Sequence, residues 1–192
     1  MRNANHRDTA SWTRRVLETV DRTIDDDGVT DVAQLARVLA RAPWWEGCPT
    51  SDDTSFGDSG QGYRRLSLRD ANDCSVLLIA WPPGHATPIH DHDGLWGIEL
   101  VLDGVLQVES FTMTVTPTLQ LVPRDVMLLG VGDHTTFTEE DYAHRCRNLS
   151  AQRPALSLHV YGGVLERYRA YDKAAGGCWE STPQRAELAL AG

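Results

Sequence analysis

Beyond Gly62 the chain abandons helical spacing for short apolar or alternating runs, and this change constrains the fold more than any other feature. The runs are Tyr63 to Leu68, Cys74 to Trp81, Gly97 to Leu102, Val105 to Phe111, Leu119 to Leu121, Val126 to Leu129 and Ala155 to Tyr161. Turn residues divide them at intervals of roughly eight to twelve positions, the pattern of a β-barrel or sandwich. Asp103-Gly104 predicts a tight hairpin between two of the runs, because both residues tolerate positive φ. Val164 to Tyr171 reads as one more strand, and the tail from Gly176 onward is expected to be loosely held.

The first forty residues carry a different period. Trp12, Val16, Leu17, Val20 and Ile24 recur at three- and four-residue spacing, with Gly28 following the acidic run Asp25 to Asp27. Thr30 or Asp31 caps a second helix bearing Val32, Leu35, Val38 and Leu39, which Pro43 ends. Trp44 and Trp45 are expected to dock this helical pair on the barrel, and Gly47 to Gly62 reads as loop. The chain is expected to form a single domain over residues 1–192: helices over 1–45, the barrel over 60–173 and a tail over 174–192.

Charge narrows the function. With 27 acidic against 18 basic side chains the net charge is −9, which excludes bulk electrostatic binding of nucleic acid or anionic lipid and favours a small-molecule substrate. No apolar run approaches the roughly 20 residues of a membrane span, and Met1 to Thr13 lacks the apolar core of a signal peptide. The expectation is a cytoplasmic protein, a monomer or weak homo-oligomer, with no nucleic-acid or membrane partner. Cys48, Cys74, Cys146 and Cys178 show no paired spacing and read as free thiols.

The chemistry concentrates in Pro82-Pro83-Gly84-His85-Ala86-Thr87-Pro88-Ile89-His90-Asp91-His92. In a strand, residues i and i+2 share a face, so His90 and His92 present two imidazoles side by side. Such a pair alone is a weak signal, common on surface strands. The surroundings add to it: Gly84 stands six before His90, Gly104 closes the next turn, and His144 is followed by Asn148. Taken alone, His144 would be a surface histidine in the basic stretch His144-Arg145-Cys146-Arg147. A regular strand there would set Cys146 on the same face, a thiol close to the site.

The pattern resembles the two short motifs of the cupin superfamily. The resemblance implies a mainly β cupin fold (double-stranded β-helix, or jelly-roll barrel) with N-terminal α-helices. It also implies a third histidine supplied from an opposing strand, giving His90, His92 and His144 as metal ligands. Two departures stand out. Most cupins place a glutamate where this chain has Gly97, and Glu99 sits two positions farther along the strand. The Pro-x-Gly of the second motif is missing, with Asp141 three before His144. The expected ligand set is therefore three neutral imidazoles without a carboxylate. It leaves one face open to substrate and dioxygen and carries one less negative charge than a two-histidine, one-carboxylate triad.

Ser157-Leu158-His159-Val160-Tyr161 alternates strictly, which puts Ser157, His159 and Tyr161 on one strand face. A hydroxyl, an imidazole and a phenol can satisfy one another in series, either as a structural relay or as one that presents the phenol to a metal. With these residues the chain resembles the cysteine dioxygenase family of thiol dioxygenases, across roughly residues 60 to 173. The matching elements are Gly84-His85 through His90-Asp91-His92, Gly104, His144 with Asn148, Ser157-x-His159-x-Tyr161, and Tyr171-Asp172. The resemblance implies mononuclear Fe(II) (Fe2+) on His90, His92 and His144, which would insert both atoms of dioxygen into a thiol. It implies an outer relay of Ser157, His159 and Tyr161. The cysteine that crosslinks to this tyrosine in the animal enzymes is replaced by Gly97, so no thioether forms.

Substrate choice in that family turns on one arginine. In Tyr63-Arg64-Arg65 the Tyr-x-Arg pattern puts Arg65 at the position that holds the carboxylate of cysteine, with Tyr63 beside it; the plain alternative makes Arg64 and Arg65 solubility charges on an edge strand. Arg167 and Arg169 are the candidates for the clamp found in enzymes acting on 3-mercaptopropionate. The implied activity is Fe(II)-dependent conversion of L-cysteine to its sulfinate. The alternatives are a dioxygenase for 3-mercaptopropionate or another small thiol, a cupin enzyme of different chemistry, and a non-catalytic metal-binding cupin.

Overall fold

Along the central strands, successive residues face two different cores, and this alternation sets the architecture. In the computed structural model, residues 9–24, 31–52, 62–71, 73–115 and 117–186 are described. Gly28, Thr30 and the acidic run before them fall outside these, as does most of the expected loop up to Gly62. Two helices, α1 (Thr9–Asp21) and α2 (Val32–Leu39), and a short 3-10 turn (Ala42–Trp44) precede the strands. The strands are β1 (Arg64–Ala71), β2 (Cys74–Trp81), β3 (Ile89–His90), β4 (Gly97–Asp103), β5 (Leu106–Thr114) and β6 (Gln120–Leu129). They continue as β7 (His134–Phe137), β8 (Tyr142–Asn148), β9 (Ala155–Tyr161), β10 (Arg167–Lys173) and β11 (Trp179–Arg185).

One sheet runs β1-β2-β9-β4-β7 and the other β11-β10-β3-β8-β5-β6, with every pairing antiparallel. The fold is a mainly β cupin with two short N-terminal helices. From β2, β4 and β9, the residues Val76, Leu78, Ile98, Leu100, Leu156, Leu158 and Val160 pack with Trp12, Val16, Leu35 and Leu39 of the helices. The alternate residues Leu77, Ile79, Trp81, Val101, Ala155 and Tyr161 face inward and share a second core with Val108, Phe137, Tyr142 and Cys146. A sheet buried on both faces needs near-continuous apolar strands, which Cys74–Trp81 and Ala155–Tyr161 supply.

The helices follow their sequence signals. Asp31 caps α2, its carboxylate accepting a 2.8 Å hydrogen bond from the Gln34 amide. Trp45 packs on the helical core beneath the Arg15 guanidinium, 4.3 Å from its ring centre. Trp44 is 67 % exposed, yet its ring edge rests on the barrel at Gly132, between β6 and β7, where an added Cβ would fall 2.2 Å from it.

Other elements depart from expectation. Leu119–Leu121 and Val126–Leu129 belong to one strand, because β6 continues through Pro123 with a register shift opposite Ser110/Phe111. At the edge of its sheet, β6 has a free side on which a proline costs no ladder bond. Asp103-Gly104 is not a hairpin. Both neighbours of β4 are taken by β7 and β9, so the turn carries the chain across to β5 in the opposite sheet. Gly104 has φ +82°, and a Cβ there would lie 2.7 Å from that of Ala155. Nor is the tail loose over its described part: β11 pairs with β10 from Arg167↔Arg185 to Lys173↔Trp179.

Trp12 joins the helices to the sheet; it is buried and donates its indole N–H to the Ala42 carbonyl at 2.9 Å. Trp12→Ala is expected to cost about 3–5 kcal/mol in urea denaturation. A loss under about 1 kcal/mol would mean that the helices contribute little to folding.

Candidate metal centre

His90 lies on β3 opposite His144 of β8, and this pairing brings the two imidazoles together. β3 ends at His90, so His92 reaches the cluster from the following loop and not from the strand face that its spacing suggests. Asp91 holds that loop in place. Its carboxylate accepts bonds from the Tyr171 hydroxyl (2.6 Å) and the Arg169 amide (2.8 Å), and its own amide donates to the Arg169 carbonyl. The Tyr171 singled out in the sequence thus fixes the residue between the two histidines.

One ring nitrogen from each of His90, His92 and His144 lies within 4.8 Å of the other two. His90 Nδ1 donates to the Pro88 carbonyl at 3.0 Å, which leaves its Nε2 lone pair facing His144 Nε2 at 3.3 Å. His144 Nδ1 lies 3.4 Å from the Tyr142 hydroxyl and 3.7 Å from Cys146 Sγ. His92 is buried, and neither of its ring nitrogens has a partner among the described residues. Burial pushes every one of these rings below the ordinary histidine range, His90 to about 4, with the Arg65 charge adding to the effect. An orphaned buried imidazole is costly unless a cation sits beside it, and the three rings converge closely enough to share one. The donor set fits a transition metal held by neutral nitrogens.

Gly97 and Glu99 explain each other. A Cβ at Gly97 would fall 2.2 Å from the Phe137 ring, and that ring stacks on His92 with centroids 4.3 Å apart. No side chain fits at position 97. Glu99 shares its strand face and puts a carboxyl beside the site, outside the group that the three histidines form. Buried Glu99 places Oε1 3.5 Å from His144 Nε2 and 3.4 Å from His159 Nδ1, while Cys146 Sγ donates to Oε2 at 3.5 Å. Glu99, His144 and Cys146 form a second potential metal-ligating group that shares His144 with the first. Burial pushes the Glu99 carboxyl up to about 8, so in the metal-free protein it is protonated at neutral pH. Sequence reasoning set Glu99 aside, although two-residue alternation from inward Gly97 locates it.

Ser157, His159 and Tyr161 are joined in series on β9. Trp81 Nε1 donates to Ser157 Oγ at 2.8 Å, so the serine hydroxyl is free to donate to His159 Nε2, also at 2.8 Å. That directs the ring proton to Nδ1, which reaches the Tyr161 oxygen at 3.0 Å. The phenol keeps its own proton for the cavity it borders. Burial holds the Tyr161 phenol well above its ordinary range and lowers the His159 ring to about 3.

A cavity of about 540 Å³ opens on His90 and Tyr161, with Tyr63, Arg64, Arg65, His85 and Tyr168 on its wall. Arg65 is only 8 % exposed, and its Nε has no partner among the described residues. Tyr63 stacks on His85 at 4.7 Å and meets the edge of Trp81 at 5.1 Å. Arg169 bonds to Ser181 and Arg167 lies on the exposed side of β10; neither borders the cavity. Asn148 has a structural task, its amide donating to the carbonyls of Trp81, Pro82 and Arg153.

A cupin barrel with a potential metal-binding group of inward histidines defines the class. Residues 57–174 match the family model of Cysteine dioxygenase type I, and the chain belongs to that family. It is 26 % identical to human cysteine dioxygenase type 1 over 102 residues, covering 53 % of this chain and 51 % of that protein. The zebrafish (Danio rerio) protein of the same name is 28 % identical over 104 residues, with the same coverage. The chain thus spans about half the length of the curated relatives it matches. Among solved structures, a double-stranded beta-helix protein from Klebsiella pneumoniae has a TM-score of 0.46 at 18 % identity, covering 64 % of this chain and 95 % of its own. The hydroquinone 1,2-dioxygenase PnpCD has a TM-score of 0.45 at 17 % identity, covering 66 % and 74 %. No helix among the described residues is long and apolar enough to cross a membrane.

The buried titrating groups shape the stability of the metal-free protein. Below the ordinary histidine value of 6.5 the unfolded chain takes up protons on His90, His92, His144 and His159 that the folded rings refuse, so stability falls with acid. Above 4.5 the unfolded chain loses the Glu99 proton that the fold retains to about 8, so this group lowers stability as pH rises. Four rings outweigh one carboxyl on the acid side. Thermal melting of metal-free protein is expected to give the highest Tm at about pH 7, where the four unfolded imidazoles together take up as many protons as Glu99 alone retains in the fold. A Tm that stays flat or rises toward acid would contradict this ionisation pattern.

Proposed function

We propose that this chain is an Fe(II)-dependent thiol dioxygenase that converts L-cysteine and dioxygen to cysteine sulfinate, working in the cytoplasm as a monomer or weak homo-oligomer. One observation carries the reading: His90 of the histidine cluster, Tyr161 and the buried Arg65 border a single cavity. A metal-binding edge, a proton donor and an unneutralised cation are what a thiol carboxylate and dioxygen need from a protein. His90, His92 and His144 would hold the iron, with Glu99 close behind His144.

Bound iron supplies the redox path that brings thiolate sulfur and dioxygen together. The reaction RSH + O2 → RSO2H balances without an outside reductant, since sulfur gives up four electrons and dioxygen accepts four. Arg65 binds the substrate carboxylate, which gives its buried Nε the acceptor it lacks among the described residues. Arg169 is engaged with Ser181, so the carboxylate grip falls to Arg65. Tyr63 walls this end with its ring, backed by Trp81, and limits water. Tyr161 donates its retained proton toward the oxygens of the reacting group, and Ser157 and His159 hold the phenol in that orientation.

Oxygen uptake and sulfinate formation by Fe(II)-loaded protein, measured with L-cysteine, 3-mercaptopropionate and cysteamine, test the reading. L-Cysteine is expected to have the highest kcat/KM, and Arg65→Ala to raise its KM at least about tenfold relative to cysteamine, which has no carboxylate. Tyr161→Phe is expected to lower kcat or uncouple oxygen uptake from sulfinate while the metal content holds. Preference for 3-mercaptopropionate would reassign the substrate. Absence of thiol-dependent oxygen uptake would leave a non-catalytic metal-binding cupin.

A further inference from the structure

A thiol, a carboxyl and an imidazole meet in the barrel interior. His144 and Cys146 alternate along β8, Glu99 reaches them from β4 in the opposing sheet, and all three are buried. Cys146 Sγ lies 3.7 Å from His144 Nδ1 and 3.5 Å from Glu99 Oε2. Around a tetrahedral zinc ion, with Zn–S of about 2.3 Å and Zn–N or Zn–O of about 2.1 Å, such ligand atoms stand about 3.5 Å apart. Both measured separations match that edge. Among the described residues, the Cys146 thiol supplies the one hydrogen bond of the Glu99 carboxyl, and a thiol is a weak donor. Thr87 of the cavity wall donates its amide to the Cys146 carbonyl at 3.0 Å and accepts from the Cys146 amide at 3.1 Å, so this group stands directly behind the cavity.

We propose that Glu99, Cys146 and His144 form a second cation site, selective for Zn2+ over Fe2+, and that its occupation takes His144 from the three-histidine cluster. Charge favours zinc here. Three imidazoles leave a divalent ion with its full charge in the interior, whereas a thiolate and a carboxylate together cancel it. Thiolate ligands select zinc, which also stands above iron in affinity for such donors. Zn2+ takes the place of the Cys146 and Glu99 protons, which leave to solvent, and no electron changes hands. His144 makes the two sites exclusive. A neutral imidazole has one lone pair; Nε2 faces His90 at 3.3 Å, while Nδ1 is the nitrogen that Cys146 approaches. With zinc on Nδ1 the ring proton sits on Nε2, beside Glu99 Oε1 at 3.5 Å. The proposal does not depend on the oxidation reaction, and neither thiol substrate nor dioxygen enters its test.

Co2+ stands in for Zn2+ as a coloured probe, because a cobalt–thiolate bond gives a near-ultraviolet charge-transfer band that imidazole and carboxylate ligands do not. Metal-free His90→Ala and His92→Ala, each of which disables the three-histidine cluster and leaves the second group whole, are titrated anaerobically, with folding followed by circular dichroism. In each the band is expected to saturate at one Co2+ per chain and to disappear on addition of Zn2+. Adding Cys146→Ser is expected to remove it, and adding Glu99→Gln, which leaves β8 untouched, to weaken Co2+ binding at least about tenfold. Zn2+ is then added to Fe(II)-loaded wild type and Cys146→Ser, and released iron is read with a ferrous chelator. Half-release is expected at least about tenfold lower in Zn2+ for the wild type. No band in either histidine variant, or a band that survives Cys146→Ser, overturns the site. Equal zinc sensitivity with and without Cys146 means displacement at the three histidines and overturns the exclusion. A Cys146-dependent band in a protein whose wild type retains no Fe(II) upholds this site and overturns the iron cluster instead.

Discussion

The Nε2 atoms of His90 and His144 face each other at 3.3 Å inside the barrel, beside His92, whose ring nitrogens have no hydrogen-bond partner among the described residues. Burial keeps these rings neutral, so each retains a lone pair that it can turn to a cation. The elements around them hold this arrangement in place. The β3–β8 register sets His90 opposite His144, Asp91 ties the intervening loop to Tyr171 and Arg169, and Phe137 stacks on His92. Such preorganisation costs stability in the empty protein and is recovered when a cation binds.

β9 ties that cluster to the rest of the fold. Leu156, Leu158 and Val160 carry the helical layer on one side, while Ser157, His159 and Tyr161 form the relay on the other. A one-residue slip would turn the relay into the apolar layer and leave three polar groups without partners, so packing of the outer face fixes register at the site. The order of donors from Trp81 to Tyr161 depends on that register, and with it the proton that Tyr161 keeps for the cavity.

Much of this was legible in the sequence because it is written in alternation. Ser157, His159 and Tyr161 share a face by period alone, and Cys74–Trp81 and Ala155–Tyr161 fall where their apolar runs place them. Long-range consequences were not legible. Asp103-Gly104 carries the local signal of a hairpin, but the strands it joins already have other partners in different sheets. The tail from Gly176 looks polar and loose because β11 is an edge strand with little to bury, and it nonetheless walls the cavity. Glu99 was passed over because attention rested on the position that Gly97 occupies, where Phe137 leaves no room for a side chain.

The site therefore combines neutral imidazoles with one nearby carboxyl that burial keeps protonated until a cation is present. The most direct test is an anaerobic Fe(II) titration of the wild type beside His92→Ala and His144→Ala, with bound iron counted after desalting and folding followed by circular dichroism. Expected is one tightly held Fe(II) per chain in the wild type, lost in both variants while the β-sheet signal persists. Undiminished iron in either variant, or none in the wild type, would contradict a centre built on these three histidines.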